Sequence, residues 1–158
     1  MLKIISGAQT GVDRAALDAA LDAGLPCGGW IPRGRLAEDG TIDGNYSFLK
    51  ECDSSDYIVR TELNVQEADA TLILHRGPMS GGTEITHAFC RRYKKPVLAL
   101  DLAGLETVAA GESIIKFLRQ QKPKVLNVAG PRESKVPGIY EETQKLLAVI
   151  FTLLVNEK

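Results

Sequence analysis

Cysteine, aromatic side chains and long apolar runs are all scarce in this chain of 158 residues, and neither sign of charge dominates. The three cysteines, Cys27, Cys52 and Cys90, are odd in number and far apart. That excludes a disulfide framework, and the absence of any CxxC or His/Cys spacing excludes a zinc site. They read as reduced, mostly buried thiols of a cytoplasmic protein. With 19 basic and 20 acidic residues the net charge is −1, so no strong field draws the chain to nucleic acid or to an anionic membrane. The local cluster Arg91, Arg92, Lys94 and Lys95 reads as the basic end of a helix. The longest apolar stretch, Leu146 to Val155, is too short to cross a bilayer. No leader is expected, because strand-like residues begin at Leu2. What remains is an ordinary globular composition, 44% hydrophobic and 25% charged, at a length that fits one domain over residues 1–158.

Strand-like and helix-like segments alternate along this length. Strands are expected at Leu2–Ser6, Pro26–Trp30, Ala70–His75, Pro96–Asp101 and Val125–Ala129. Helices are expected over Asp13–Ala23, Thr83–Tyr93, Glu112–Gln121 and Ile139–Val155, each with apolar residues recurring at helical spacing. Between them, Ile31–Asn45 reads as a long loop, Leu49–Asp53 as a short helical piece, Tyr57–Thr61 as extended and Asn64–Ala68 as a helical turn. Strands that are apolar throughout and alternate with helices predict a mainly parallel sheet covered on both faces. The fold class is therefore α/β, a Rossmann-like three-layer sandwich.

Two segments stand out at the places where such a fold collects ligands, the carboxyl ends of its strands. Gly7-Ala8-Gln9-Thr10-Gly11 and Ser80-Gly81-Gly82-Thr83 each follow an apolar run and each open a helix. A strand turning through glycines into a helix presents unpaired backbone N–H groups at the positive helix end, which suits phosphates and other oxyanions. Gln9, Thr10, Ser80 and Thr83 add side-chain donors. Either loop alone also reads as a capped turn, with Asp13 or Thr83 as the cap. The dinucleotide fingerprint G-x-G-x-x-G and the P-loop Gly-Lys-Ser/Thr are both missing. Arg33 and Arg35 could close on a phosphate as a pair, or be solvated beside Glu38 and Asp39. Arg60, Thr61 and Asn64 precede the second loop's strand, and His75 ends it. Trp30 reads as core or pocket wall. No Ser/His/Asp or Cys/His arrangement is recognisable, so no catalytic residue and no metal ligand is assigned.

Taken together, these segments resemble the molybdenum cofactor carrier family, Rossmann-like proteins related to the lysine-decarboxylase-like phosphoribohydrolases. The resemblance runs over nearly the whole chain. It rests on Ile5 to Asp18, Pro32-Arg33-Gly34-Arg35, Glu38-Asp39-Gly40, Tyr57, Arg60-Thr61, Asn64-Val65, Ser80 to Thr83 and Asn127 to Ser134. It implies a protein, often oligomeric, that holds the molybdenum cofactor by its phosphate and pterin and hands it to molybdoenzymes. The binding residues would be Gly7, Gln9, Thr10, Gly11, Ser80, Gly81, Gly82 and Thr83, with Arg33, Arg35, Arg60 and Arg132 as further contributors. Two positions depart from the related patterns. Ala8 stands where a second glycine is expected in the first loop. Thr86 stands where the hydrolases carry their catalytic glutamate, and a hydroxyl cannot do a carboxylate's acid–base work near neutrality. That departure favours carriage over catalysis. The alternatives are a nucleotide-binding sensor and a hydrolase of nucleoside monophosphates using Glu84, Asp13 or Asp69.

Overall fold

A computed structural model describes residues 1–157 as an α/β fold around a parallel five-stranded sheet. Its strands are β1 (Lys3–Ile5), β2 (Cys27–Gly28), β7 (Ala70–His75), β8 (Val97–Asp101) and β9 (Val125–Ala129), in the order β2-β1-β9-β7-β8. Every neighbouring pair is parallel. The interior strand β7 is buried on both faces because helices cover both. Alternate side chains such as Ile4, Leu72, Leu74, Leu126 and Val128 point into one large core. That core is shared with α1 (Val12–Asp22), α4 (Thr107–Gln121) and α5 (Ile139–Asn156). Alanines at positions 15, 16, 19 and 20 of α1 are fully buried, and their small size lets α5 lie close along it. The other face is covered by α2 (Tyr57–Glu67) and α3 (Gly81–Arg92), which pack on each other and on the central strands.

Four further strands lie outside the main sheet, and here the structure corrects the sequence reading. The single strand expected at Pro26–Trp30 divides at Gly29, whose φ of +134° turns the chain out of the main sheet. Beyond it β3 (Trp30–Ile31) pairs with β6 (Lys50–Glu51), so the helical piece expected at Leu49–Asp53 is a strand. The parallel pairing decides this: Lys50 N–H donates to Gly29 O and Cys52 N–H to Ile31 O, both at 2.9 Å. The long loop Ile31–Asn45 contains a small hairpin, β4 (Leu36–Ala37) with β5 (Gly40–Thr41). It closes over a second apolar cluster made by Ala8, Leu17, Ile31, Ala37, Ile42 and Leu49.

Tyr57–Thr61, expected to be extended, is the first half of α2. The β-branched Ile58 and Val59 bias the segment toward a strand, but the Asp56 carboxylate caps the helix by accepting Ile58 N–H at 2.9 Å. The helical turn expected at Asn64–Ala68 is the end of the same helix. On its buried face Asn64 completes the edge of β3: its Oδ1 accepts Trp30 N–H at 2.8 Å and its Nδ2 donates to Trp30 O at 3.0 Å. Trp30 itself is half-buried, and its indole N–H donates to Glu67 at 2.7 Å. Removing the amide leaves two backbone groups without partners. Asn64→Ala is therefore expected to lower stability by about 1–3 kcal/mol in urea unfolding. Trp30, the only tryptophan, provides the fluorescence readout, and unchanged stability would contradict the pairing described here.

Candidate functional site

The first loop leaves β1 at Ile5 and is folded by its own polar groups. Ser6 Oγ donates to Asp13 O at 2.8 Å and accepts Ala8 N–H at 3.1 Å. Ala8 adopts φ +54°, and its fully buried methyl belongs to the second apolar cluster, so it does not line the pocket formed on the other side of the loop. Gly11, not Asp13, is the N-cap residue of α1. A Cβ at Gly11 would stand 2.4 Å from Pro131 O, so glycine there lets the segment after β9 close against the loop.

Gln9 is held by its oxygen. Its Oε1 accepts both Thr10 N–H at 3.1 Å and Glu38 N–H at 2.8 Å, which fixes the amide and leaves Nε2 buried without a partner among the described residues. Thr10 faces away, donating its hydroxyl to Glu38 and accepting Glu133 N–H at 3.1 Å. Glu38, at the tip of the β4–β5 hairpin, also accepts Ser134 N–H at 3.1 Å. One carboxylate therefore fastens the hairpin to both the first loop and the segment after β9.

The second loop starts α3 at Gly81, with Ser80 as an N-cap residue whose side chain makes no capping bond. That first helical turn borders the same pocket, which is lined by Ser80, Gly82, Thr83 and Thr86 on this side and by Gly7 and Gln9 on the other. The space is about 60 Å³, room for a few water-sized groups at roughly 10–15 Å³ each, which is the size of an oxyanion.

Its charge is uneven. Arg60, Arg132 and Lys135 line the pocket, and Asp13 is the one acid among the described lining residues. Arg60 is 7% exposed, donates from Nη1 to Gly7 O at 2.7 Å and forms no ion pair among the described residues. A Cβ at Gly7 would lie 2.5 Å from that same nitrogen, so only glycine admits the guanidinium. Tyr57 stands between the two arginines, 5.1 Å from the guanidinium carbon of Arg60 and 5.5 Å from that of Arg132. Burial pulls the Arg60 pKa below its usual range, partly offset by the charge of Asp13. Burial also pushes the Asp13 carboxyl up to about 6, against the opposing pull of Arg60 and hydrogen bonds from Gln9 and Gly130 backbone.

Of the residues singled out in the sequence, Gly7, Gln9, Arg60, Ser80, Gly82 and Thr83 meet around this pocket, as does Arg132. Thr10, Gly11 and Gly81 stand behind the lining. Arg35 is turned into its own loop, where its guanidinium donates to the carbonyls of Ile42, Asp43 and Tyr46. Arg33 is exposed and lies outside the pocket. Lys135 escaped the sequence reading; it reaches the site only because the chain after β9 folds back, with its Nζ over Gly81. Asn127, 3% exposed at the floor, was legible only as part of the resemblance. Of the three acids considered for catalysis, Asp69 accepts Lys124 N–H and Val125 N–H, both at 2.8 Å, at the start of β9, and exposed Glu84 is outside the lining. Among the described residues no group of three or more His, Cys, Asp or Glu is placed to hold a metal ion, and no helix is long and apolar enough to cross a membrane.

Residues 4–151 match the model of a family described as circularly permutated YpsA SLOG. The chain belongs to that family. Among solved structures it is similar to a protein from Syntrophus aciditrophicus named "putative molybdenum carrier protein", at 47% identity and a TM-score of 0.92. The similarity covers 95% of this chain and 94% of the other. No curated protein matches the sequence. The family assignment and this neighbour agree with the resemblance drawn from the motifs, and they support a carrier role at the level of the family.

The buried Asp13 has a measurable consequence. Its carboxyl binds a proton more tightly in the folded state, up to about 6, than at its ordinary value of 3.8. Its contribution to stability is therefore full below pH 4 and is lost as the pH rises through 6. Asp13→Asn should gain stability relative to the parent across that window, by up to about 3 kcal/mol at about 1.4 kcal/mol per pKa unit, and the gain should level off above it. Urea unfolding at a series of pH values reads this difference, and a difference independent of pH would show that Asp13 is not buried as described.

Proposed function

We propose that this protein binds and carries the molybdenum cofactor, and that the pocket between its two glycine loops takes the cofactor's phosphate. The observation that carries this reading is the pocket's own chemistry. Arg60, Arg132 and Lys135 converge there with Gln9 and the start of α3, in a space of oxyanion size. These are groups that recognise a phosphate end, by charge-assisted hydrogen bonds and a helix terminus together. On this reading the protein need supply no metal ligand, since the pterin dithiolene would hold the molybdenum. The name of the Syntrophus aciditrophicus protein points to the same class of cargo. The proposal extends to a cytoplasmic homo-oligomer that hands the cofactor to molybdoenzymes, with no role for nucleic acid or membrane.

The second reading, hydrolysis of a nucleoside monophosphate, is favoured by one observation, the presence of Asp13 in the pocket. Against it, Thr86 stands at the position of the hydrolase glutamate and its hydroxyl donates to Gly82 O at 2.8 Å. The carrier reading predicts no release of free base from any common nucleoside monophosphate.

The direct test is what co-purifies. Oxidising the protein converts bound pterin to a fluorescent form, and molybdenum is assayed in the same sample. Near-equal pterin and metal are expected, whereas metal-free protein holding a purine nucleotide would replace this reading with the nucleotide-binding one. Gly82 offers the cleanest variant, because a side chain there meets nothing within 4 Å and projects into open space. Gly82→Leu should keep the fold and lower bound pterin at least about tenfold, the effect of losing roughly 1.4 kcal/mol of binding. Undiminished binding would remove the pocket from the account.

A further inference from the structure

The acid in the lining of a pocket that also carries three cations is the feature that oxyanion binding alone leaves unexplained. Asp13 sits on the first turn of α1, 7% exposed. Arg60 faces it from α2, Arg14 lies on its own helix, and Arg132 and Lys135 come from the segment after β9. None of them forms an ion pair with it. Its described partners are backbone N–H groups only, those of Gln9, at a long 3.4 Å from Oδ2, and Gly130. Three cations draw an anion into a space of about 60 Å³ that this carboxylate also lines.

Two like-charged oxygens that close do not both stay ionised; a proton between them removes the repulsion and makes a strong hydrogen bond. We propose that Asp13 makes the pocket a proton-sharing site, selective for phosphate ends that can bring or take up one proton and against oxyanions that carry none. The proposal rests on the phosphate reading of the pocket and refines it. A phosphate monoester, with a second pKa near ~6, exists in both protonation states around neutrality. Its monoanion arrives with the shared proton, and its dianion binds with uptake of one proton from solvent. Sulfate has no proton to give near neutrality and meets an ionised Asp13. The lifted affinity of the Asp13 carboxyl for a proton, caused by burial, brings it close to that of the monoester, the condition under which sharing is strongest.

Calorimetry on the full chain with inorganic phosphate and with sulfate tests this. At pH 7.5 phosphate should bind about tenfold or more tightly than sulfate, the equivalent of one pKa unit of discrimination. The heat of phosphate binding should also vary with the ionisation enthalpy of the buffer, showing proton uptake. Lowering the pH to 5 should raise sulfate affinity toward that of phosphate. In Asp13→Asn the two anions should bind alike at both pH values. Equal affinities in the parent protein with no buffer dependence, or discrimination that survives in Asp13→Asn, would overturn the proton-sharing role while leaving the phosphate pocket in place. Failure of both anions to bind at either pH would overturn the phosphate reading itself. If Asp13→Asn does not fold, the buffer dependence of the parent protein decides the question alone.

Discussion

Arg60 is the interaction on which the rest of this site depends. Arg60, 7% exposed and with no ion-pair partner among the described residues, carries its charge into the protein at considerable cost in solvation. What it obtains there is one carbonyl, Gly7 O, one hydroxyl, Thr61 Oγ1 at 3.0 Å, and the face of Tyr57. These groups orient the guanidinium without neutralising it. The charge is left to act across the pocket, where a low local dielectric makes it effective. The absence of a side chain at Gly7 follows from how this charge is housed, and the same charge opposes the rise in proton affinity that burial gives Asp13.

The pocket is held together by parts that are far apart in the chain. Glu38 links the β4–β5 hairpin to Thr10 in the first loop and to Ser134 after β9. Tyr57 lies against both Arg60 and Arg132. Gly11 admits Pro131. Through these contacts the first loop, the α2 helix and the return segment before α5 form one wall, and α3 supplies the opposite one. Thr10, Gly11 and Gly81 matter for that wall although they stand behind its surface.

Much of this architecture was legible in the sequence because it rests on local patterns. Apolar runs and helical spacing located the five strands of the main sheet and the four helices outside the middle of the chain, close to their observed ends except that α4 starts at Thr107, five residues before the expected Glu112. The two glycine loops were legible for the same reason, since a strand–glycine–helix passage is a local event. The middle of the chain was not. Tyr57–Thr61 has the composition of a strand, and only the cap by Asp56 and packing on α3 make it helical. Lys50–Glu51 is a strand because Trp30–Ile31 lies beside it, a partner set by folding and not by spacing. Arg33 and Arg35 look like a phosphate clamp in sequence, yet Arg35 satisfies three carbonyls of its own loop. Lys135 had no local signal at all.

The claim at the centre of this account is that the two glycine loops form one oxyanion site. Nuclear magnetic resonance of the backbone amides during titration with a simple phosphate monoester addresses it most directly. The account predicts that the largest shifts fall together on Gly7, Gln9, Gly82 and Thr83, with one common saturation curve. Shifts confined to one loop, or centred on a surface away from both loops, would contradict it.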